Sequence, residues 1–193
     1  AEEWAHLKDG PITLTEAEVQ RVAKHFTDPP YLELSDQEQA LAELDAQHPG
    51  FARWRNRNVV AHKKAGYAAV TLSLKKTGIA PGDVTEKQLD KIADPADQYS
   101  FSELRNTHEQ NMVLADVEQR KLFELWEILR EHGFATPNIG LLSDIICCPG
   151  GDFCALANAK SIPVAEAIQE RFDNLDYLFD IGDLDLNISG CMN

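Results

Sequence analysis

Residues 66–74 read Gly-Tyr-Ala-Ala-Val-Thr-Leu-Ser-Leu, and this stretch sets the fold. Its apolar residues alternate with Thr71 and Ser73, which is the two-residue period of a strand with one buried face. A Pro81-Gly82-Asp83 turn follows. The stretch therefore predicts the first strand of a sheet.

A helix is predicted directly after that turn. Thr85 and Gln88 have the spacing of a capping box, and apolar residues such as Leu89 and Ile92 follow on one face. Pro95 lies inside this pattern. Because proline cannot donate its backbone nitrogen to the helix, we expect a kink or an early end there.

A second strand is predicted over 103–114 and a second helix over 116–132. Asp116 and Gln119 indicate a cap for this helix, and Gly133 is placed to end it. The helix carries a regular apolar stripe of Leu122, Leu125, Trp126 and Leu129. Strand, helix, strand and helix over 66–133 predict a compact α+β unit of the ferredoxin-like type.

The segment 103–114 is polar on both faces at its middle. A strand in a packed core needs an apolar face, because burying unpaired polar groups is costly. The segment is therefore either a solvated edge strand or a strand whose polar side chains line a cavity for a polar ligand. The spacing does not choose between the two.

The first 60 residues are predicted to be helical. Thr13-x-x-Glu16 and Ser35-x-x-Glu38 are capping-box patterns, and Asp28-Pro29-Pro30 and His48-Pro49-Gly50 are expected to end the two helices. A basic run of Arg53, Arg55 and Arg57 follows. We interpret this run as a solvated face or as salt-bridge partners for acidic residues, with an anion site as the alternative.

Composition excludes several classes of function. The 193 residues carry 18 Lys and Arg against 32 Asp and Glu, a net charge of −14, which argues against a nucleic-acid partner. No apolar run approaches the roughly 20 residues that span a bilayer, so no membrane partner is expected. The acidic N-terminus lacks the pattern of a secretory signal. These features predict a soluble, cytoplasmic protein.

Three of the four cysteines are bunched. Cys148 and Cys154 bracket five residues that include Pro149, Gly150 and Gly151. Thiolates from one such loop can converge on a common centre, because glycine lets the backbone pass close to it. Zinc is the alternative metal for these cysteines, although zinc sites favour closer cysteine spacing. A helix beginning near Ser161 and a strand over 184–188 are predicted to follow and to lead into Cys191.

These motifs resemble the sirohaem and 4Fe–4S haemoprotein of the assimilatory sulfite and nitrite reductases. That family holds its cluster with a C-x₅-C pair and a later C-x₃-C pair. Residues 148–154 match the first pair, and residues 187–193 match the start of the second. Residues 105–111, Arg-Asn-Thr-His-Glu-Gln-Asn, resemble the family's R-x-T-x-x-Q-N strand, whose polar side chains face the sirohaem.

The resemblance implies two sets of site residues and no catalytic residue within this chain. The cluster ligands would be Cys148, Cys154 and Cys191, with Cys147 as a spare. The residues that bind the sirohaem would be Arg105, Thr107, Gln110 and Asn111. The family's fourth cysteine would lie beyond Asn193, and the other half of the pocket would belong to a missing first half of the same polypeptide.

The resemblance also implies an organisation and a reaction. Residues 1–60 would be a helical linker arm, 61–135 a ferredoxin-like half-domain, and 136–193 a truncated α/β half-domain for the 4Fe–4S cluster and sirohaem. The parent enzyme would reduce sulfite to sulfide or nitrite to ammonia by six-electron transfer, with a flavoprotein or ferredoxin as electron donor. We expect this chain alone to hold neither cofactor and to be inactive. The alternative is a non-catalytic zinc-binding or protein-interaction module.

Overall fold

Helix α1, Glu16–Ala23, belongs to the first of two units in this computed structural model, which describes Lys8, Gly10 and residues 13–192. The units are Ala1–Leu32 and Glu33–Asn193. Thr15 caps α1, since its Oγ1 accepts the backbone N–H of Glu18 at 3.2 Å. The prediction that Thr13 begins this helix is therefore wrong by two residues. The helix buries none of its side chains.

The second unit begins with two consecutive helices, α2 (Glu38–Gln47) and α3 (Pro49–Asn58). The prediction that Ser35 caps α2 is wrong, because the helix starts after Gln37 and has no side-chain cap. The predicted end at His48 is confirmed. Pro49, however, starts α3 directly, at the first helical position where a missing N–H costs nothing. The arginine run therefore lies on a third helix of the region predicted to be helical, for which the sequence patterns named no start or end.

A four-stranded antiparallel sheet forms the centre of this unit. Its strands are β1 (Val59–Ala61), β2 (Tyr67–Leu72), β3 (Arg105–Asn106) and β4 (Met112–Glu118), in the order β1-β2-β4-β3. Helix α4 (Glu86–Tyr99) connects β2 to β3, and α5 (Leu122–His132) follows β4 through a 3₁₀ turn, Gln119–Lys121. The α+β class with a ferredoxin-like half-domain is confirmed.

The predicted strand over 103–114 is instead a hairpin. Strand β3 pairs antiparallel with β4, and a turn at 107–111 separates them. Gln110 has a φ of +58° in this turn, which no regular strand contains. The edge-strand interpretation therefore describes β3 alone, whose two residues are exposed at the end of the sheet.

The boundaries of α4 and α5 differ from the prediction in opposite ways. The capping box of Thr85 and Gln88 is confirmed, but α4 continues through Pro95 to Tyr99. The prediction that α5 begins after Asp116 is wrong, because Asp116 is buried within β4 and lies 3.3 Å from His62 Nε2. The predicted end of α5 at Gly133 is confirmed by its left-handed φ of +80°.

The main core lies between the sheet and its helices. Phe51 and Trp54 of α3 are fully buried with Val70 and Leu72 of β2. The predicted stripe of α5 is buried in the same core. Burial of these apolar side chains supplies the favourable free energy that holds the half-domain together.

The C-terminal part of the unit has a smaller core. Strand β5 (Ile146–Cys147) pairs parallel with β6 (Asn187–Ile188), and helices α6 (Ile162–Arg171) and α7 (Leu175–Ile181) lie between them in sequence. Only the last two residues of the predicted strand over 184–188 form a strand, and α7 was not predicted. Ile145, Cys147 and Ala165 are the buried residues of this core.

No helix in the described part of the chain combines the length and the apolar character needed to cross a membrane.

Candidate functional site

The cysteine loop, residues 147–154, leaves β5 and turns sharply. Cys148 N donates to Ile188 O at 3.0 Å, so the loop starts against β6. A 3₁₀ turn, Gly150–Asp152, follows, and Cys154 N donates to Gly150 O at 2.9 Å. Backbone hydrogen bonds therefore shape the segment that contains the C-x₅-C pair.

The tail, residues 187–192, is tied to the same loop. The backbone N–H groups of Asn158 and Ala159 donate to Gly190 O at 2.8 and 3.1 Å. Gly190 N donates to Cys148 Sγ at 3.0 Å. The backbone beside Cys191 is thus attached to Cys148. Asn193, the last residue of the resemblance, lies outside the described residues.

Two glycines make this close approach possible. Gly150 has a φ of +60°, and a Cβ placed on it would lie 2.5 Å from Ser161 Oγ. A Cβ on Gly190 would lie 2.7 Å from Ala159 O. Side chains at either position would collide with their neighbours. The absence of a Cβ at these two positions lets the backbone segments pass close to each other.

The thiols of Cys147 and Cys148 differ in their surroundings. The hydroxyl of Ser161, 3.3 Å from Cys148 Sγ, and the N–H of Gly190 lower the pKa of Cys148. Burial, followed by the neighbouring Cys148, raises the pKa of Cys147. Cys148 is therefore the better thiolate of the two, which is the form that binds metals. That Cys147 is a spare stays a prediction.

The cysteine side chains are of the chemical type that binds iron–sulfur clusters. All four cysteines are free thiols, and thiolates are the ligands of such clusters. Within the described residues, no three His, Cys, Asp or Glu side chains are grouped to hold a metal ion. Sites of this kind commonly assemble only when the metal binds. The ligand roles of Cys148, Cys154 and Cys191 stay predictions.

The polar turn, residues 107–111, is fixed by hydrogen bonds of its own side chains. Thr107 Oγ1 accepts from Asn111 N at 3.2 Å, and Thr107 N donates to Asn111 O at 2.9 Å. Asn111 Oδ1 accepts from Leu74 N at 3.0 Å, and its Nδ2 donates to Asp144 at 2.9 Å. The turn is thereby joined to both the end of β2 and the segment before β5.

Gln110 joins the polar turn to the cysteine loop. Its Nε2 donates to Cys147 O at 2.8 Å, and its Oε1 accepts from Cys147 N at 2.9 Å. Both polar atoms of this side chain are therefore used by the backbone of one residue.

A buried lysine completes the network. Lys75 Nζ donates to Glu109 O at 2.7 Å and lies 3.1 Å from Asp144 Oδ1, with its side chain fully buried. Burial lowers the pKa of Lys75, although Asp144 acts in the opposite direction. Sequence reasoning missed both residues. If the alternation of β2 is continued beyond the strand, it places Lys75 on the face opposite to that of Leu74. No sequence pattern indicates a role for Asp144.

The four residues predicted to bind sirohaem differ in their contacts within the chain. Thr107, Gln110 and Asn111 make hydrogen bonds within the chain. Arg105 is exposed on β3 and pairs with Glu103. Their binding of sirohaem stays a prediction.

The arginine run of α3 is engaged in salt bridges. Arg53 lies 2.7 Å from Asp176, Arg55 pairs with Asp45, and Arg57 pairs with Asp183. The salt-bridge interpretation of this run is confirmed.

Part of this chain matches a known family of proteins. Residues 61–132 match the family model described as the nitrite/sulfite reductase ferredoxin-like half domain. The ferredoxin–nitrite reductase of Betula pendula is 30% identical over 128 residues, which is 62% of this chain and 21% of that protein. The ferredoxin-dependent nitrite reductase of Haloferax mediterranei is 30% identical over 115 residues, 58% of this chain and 20% of that protein.

A further relative is named as a sulfite reductase. Sulfite reductase [ferredoxin] 2 of Mycolicibacterium paratuberculosis is 28% identical over 142 residues, 69% of this chain and 25% of that protein. The fold is similar to that of the Mycobacterium tuberculosis NirA protein, with a TM-score of 0.52 and 24% identity over 69% of this chain and 24% of that one. The chain spans about a fifth to a quarter of the length of these proteins.

Proposed function

We propose that this chain is part of an enzyme that reduces nitrite to ammonia or sulfite to sulfide, because residues 61–132 match the model of the nitrite/sulfite reductase ferredoxin-like half domain. The observation that carries the proposal is the cysteine loop, whose Cys148 is tied to the tail that contains Cys191. The resemblance to named nitrite and sulfite reductases supports the choice of reaction.

Cys148, Cys154 and Cys191 are the proposed ligands of a 4Fe–4S cluster. When bound, the cluster together with sirohaem supplies the transfer of electrons to the substrate. The Gly190 N–H and the Ser161 hydroxyl contact Cys148 Sγ and would stabilise negative charge on it. The free state of all four cysteines supports a reducing compartment, and we place the protein in the cytoplasm.

Arg105, Thr107, Gln110 and Asn111 are the proposed residues on the sirohaem side. Arg105 is the best suited to direct contact, because its guanidinium is exposed and its planar fork pairs with carboxylates. Thr107 and Asn111 hold the polar turn in place. Their contribution would be to keep this surface rigid.

The proposed enzyme needs further parts. The relatives are named as ferredoxin-dependent enzymes, which favours ferredoxin over a flavoprotein as the electron donor. Since the chain spans about a fifth to a quarter of their length, we propose that the rest of the sirohaem pocket comes from the same polypeptide. The proposed organisation remains an arm over 1–60, a half-domain over 61–135 and a cofactor half-domain over 136–193.

The test is iron and acid-labile sulfide analysis of the full-length protein and its cysteine variants. Cys148→Ser and Cys154→Ser should each abolish the cluster absorbance, because serine is a poor ligand for iron–sulfur centres. Cys147→Ser is the matched control and should keep the cluster. Equal loss in all three variants would show that the ligand pair is wrong.

The same preparation separates the proposal from its alternative. One equivalent of zinc without iron or sulfide would support a non-catalytic zinc-binding module and would refute the reductase. Turnover of nitrite and of sulfite with reduced ferredoxin, compared with a reduced flavoprotein, then identifies the substrate and the donor.

A further inference from the structure

Gln110 occupies an unusual backbone position. Its φ of +58° lies in the left-handed region, which is unfavourable for a residue with a long side chain. Gly82 faces it, and a Cβ on Gly82 would lie 2.9 Å from the Cβ of Gln110. The chain therefore accepts local strain, and keeps a glycine opposite, to hold Gln110 in this turn.

The side chain of Gln110 completes the free edge of β5. Ile146 N and Cys148 N donate to Leu186 O and Ile188 O, so these groups point toward β6. The N–H and C=O of Cys147 point the other way, as alternate residues of a strand do. Gln110 binds both of them, at 2.9 and 2.8 Å. One amide side chain thus takes the place of a third strand.

The polar turn gives Gln110 a rigid base. Asn111 is bonded to Leu74 N and to Asp144, and the buried Lys75 binds the carbonyl of Glu109 and the same carboxylate. The residues on both sides of Gln110 are therefore fixed to the segment that follows β2 and to the segment that enters β5. Movement of Cys147 relative to the half-domain requires breaking the Gln110 bonds.

We propose that Gln110 is a positioning residue for the cluster: it fixes the backbone of Cys147 so that the next residue, Cys148, has a defined position relative to the polar turn. This inference rests on the proposed function. It gives Gln110 a role that differs from binding sirohaem directly, since both of its polar atoms are already bonded to Cys147.

Gln110→Asn is the variant that separates this role from general stability. Asparagine tolerates the left-handed conformation better than glutamine, but its side chain is one methylene shorter and cannot reach Cys147 in the same way. The turn should therefore remain while both hydrogen bonds are lost. Gln98→Asn, on the exposed side of α4, is the matched control.

The first measurement is the hydrogen exchange rate of the Cys147 amide, followed by NMR on this chain. Gln110→Asn should raise the rate about tenfold, as expected for the loss of hydrogen bonds at a partly protected site, and Gln98→Asn should leave it unchanged. An unchanged rate in Gln110→Asn would overturn the proposal.

The second measurement is the reduction potential and electron paramagnetic resonance spectrum of the cluster in the full-length protein. At equal iron content, Gln110→Asn should shift both relative to wild type and to Gln98→Asn. Faster exchange with an unchanged potential and spectrum would reduce Gln110 to a purely structural residue and refute the inference. A wild-type protein without iron and sulfide would instead refute the proposed function, whereas the exchange rates would still decide whether Gln110 holds Cys147.

Discussion

The half-domain and the cysteine loop with its tail are held together by different forces. In the core of the half-domain, to which α3 contributes, large side chains such as Phe51, Trp54 and Leu125 are fully buried. Around the loop, the apolar cluster has three buried residues in the described part of the chain, Ile145, Cys147 and Ala165. Large apolar side chains are exposed in the loop, after it and in the tail: Phe153 81%, Leu156 79% and Met192 98%. The loop depends on backbone hydrogen bonds and on glycines instead.

The difference is the one expected between a scaffold and the proposed cofactor site. A core of buried side chains is stable by itself, because the hydrophobic effect acts within the chain. Hydrogen bonds stabilise a loop much less, because each of them replaces a hydrogen bond that the unfolded chain makes with water. Binding of a metal centre would contribute additional free energy to the folding of the loop. The comparison therefore assigns stability to the half-domain and the proposed chemistry to the loop.

Truncation of a core side chain should have the largest effect. Phe51→Ala removes a ring that packs against Phe123 and Trp126 at centroid distances of 5.3 and 5.7 Å. We expect it to lower the free energy of unfolding by about 3–5 kcal/mol, measured by urea denaturation. Phe153→Ala, at an exposed ring of the loop, should change it by less than about 0.5 kcal/mol. Similar losses in the two variants would contradict the comparison.

Substitution of a loop glycine should have an intermediate effect. Gly150→Ala combines a left-handed φ with a Cβ 2.5 Å from Ser161 Oγ, so we expect a loss of about 1–3 kcal/mol. Gly151→Ala is the neighbouring control, because its Cβ would meet nothing closer than Ala159 O at 3.4 Å. Hydrogen exchange should show faster opening at Asn158 and Ala159 in the first variant alone. Equal effects at the two glycines would show that the loop backbone is not under this constraint.

The sequence predicted best where burial decides the structure. The stripe of α5 and the alternation in β2 repeat the period of their element, so both could be read from the residues. The capping box of Thr85 and Gln88 succeeded because it depends on neighbours in sequence. The Asp116 cap failed because a strand buries that residue through contacts that are distant in sequence.

The candidate site could be predicted in its residues but not in their contacts. Cysteine spacing identified the loop, whereas the polar segment was predicted as a strand and the turn within it was missed. The hydrogen bonds from Gln110 to Cys147 join residues that are 37 positions apart in the sequence. They use a side chain where a strand would be expected, so no local sequence pattern predicts them. The role of Asp144 likewise depends on Lys75 and Asn111, which reach it from different elements.

The smallest expected effect is a pH dependence that belongs to the half-domain. Tyr99 of α4 is buried, and its hydroxyl donates to Glu124 Oε1 of α5 at 2.7 Å. Burial, followed by the hydrogen bond to Glu124, raises the pKa of Tyr99 from 10.0 to about 12. The unfolded chain therefore loses this proton first as the pH rises. The stabilisation is fully present below pH 10 and is lost as the pH increases toward about 12.

Tyr99→Phe should remove this part of the pH dependence. The variant has no ionisable group at this position, so its free energy of unfolding should fall less than that of wild type between pH 10 and about 12. Urea denaturation across that window measures the difference, and tyrosinate absorbance of the folded protein reports the titration itself. Tyr177→Phe, at a half-exposed ring of α7 outside the half-domain core, should follow the wild-type profile. Parallel profiles for wild type and Tyr99→Phe would show that the contact between α4 and α5 does not favour the neutral phenol.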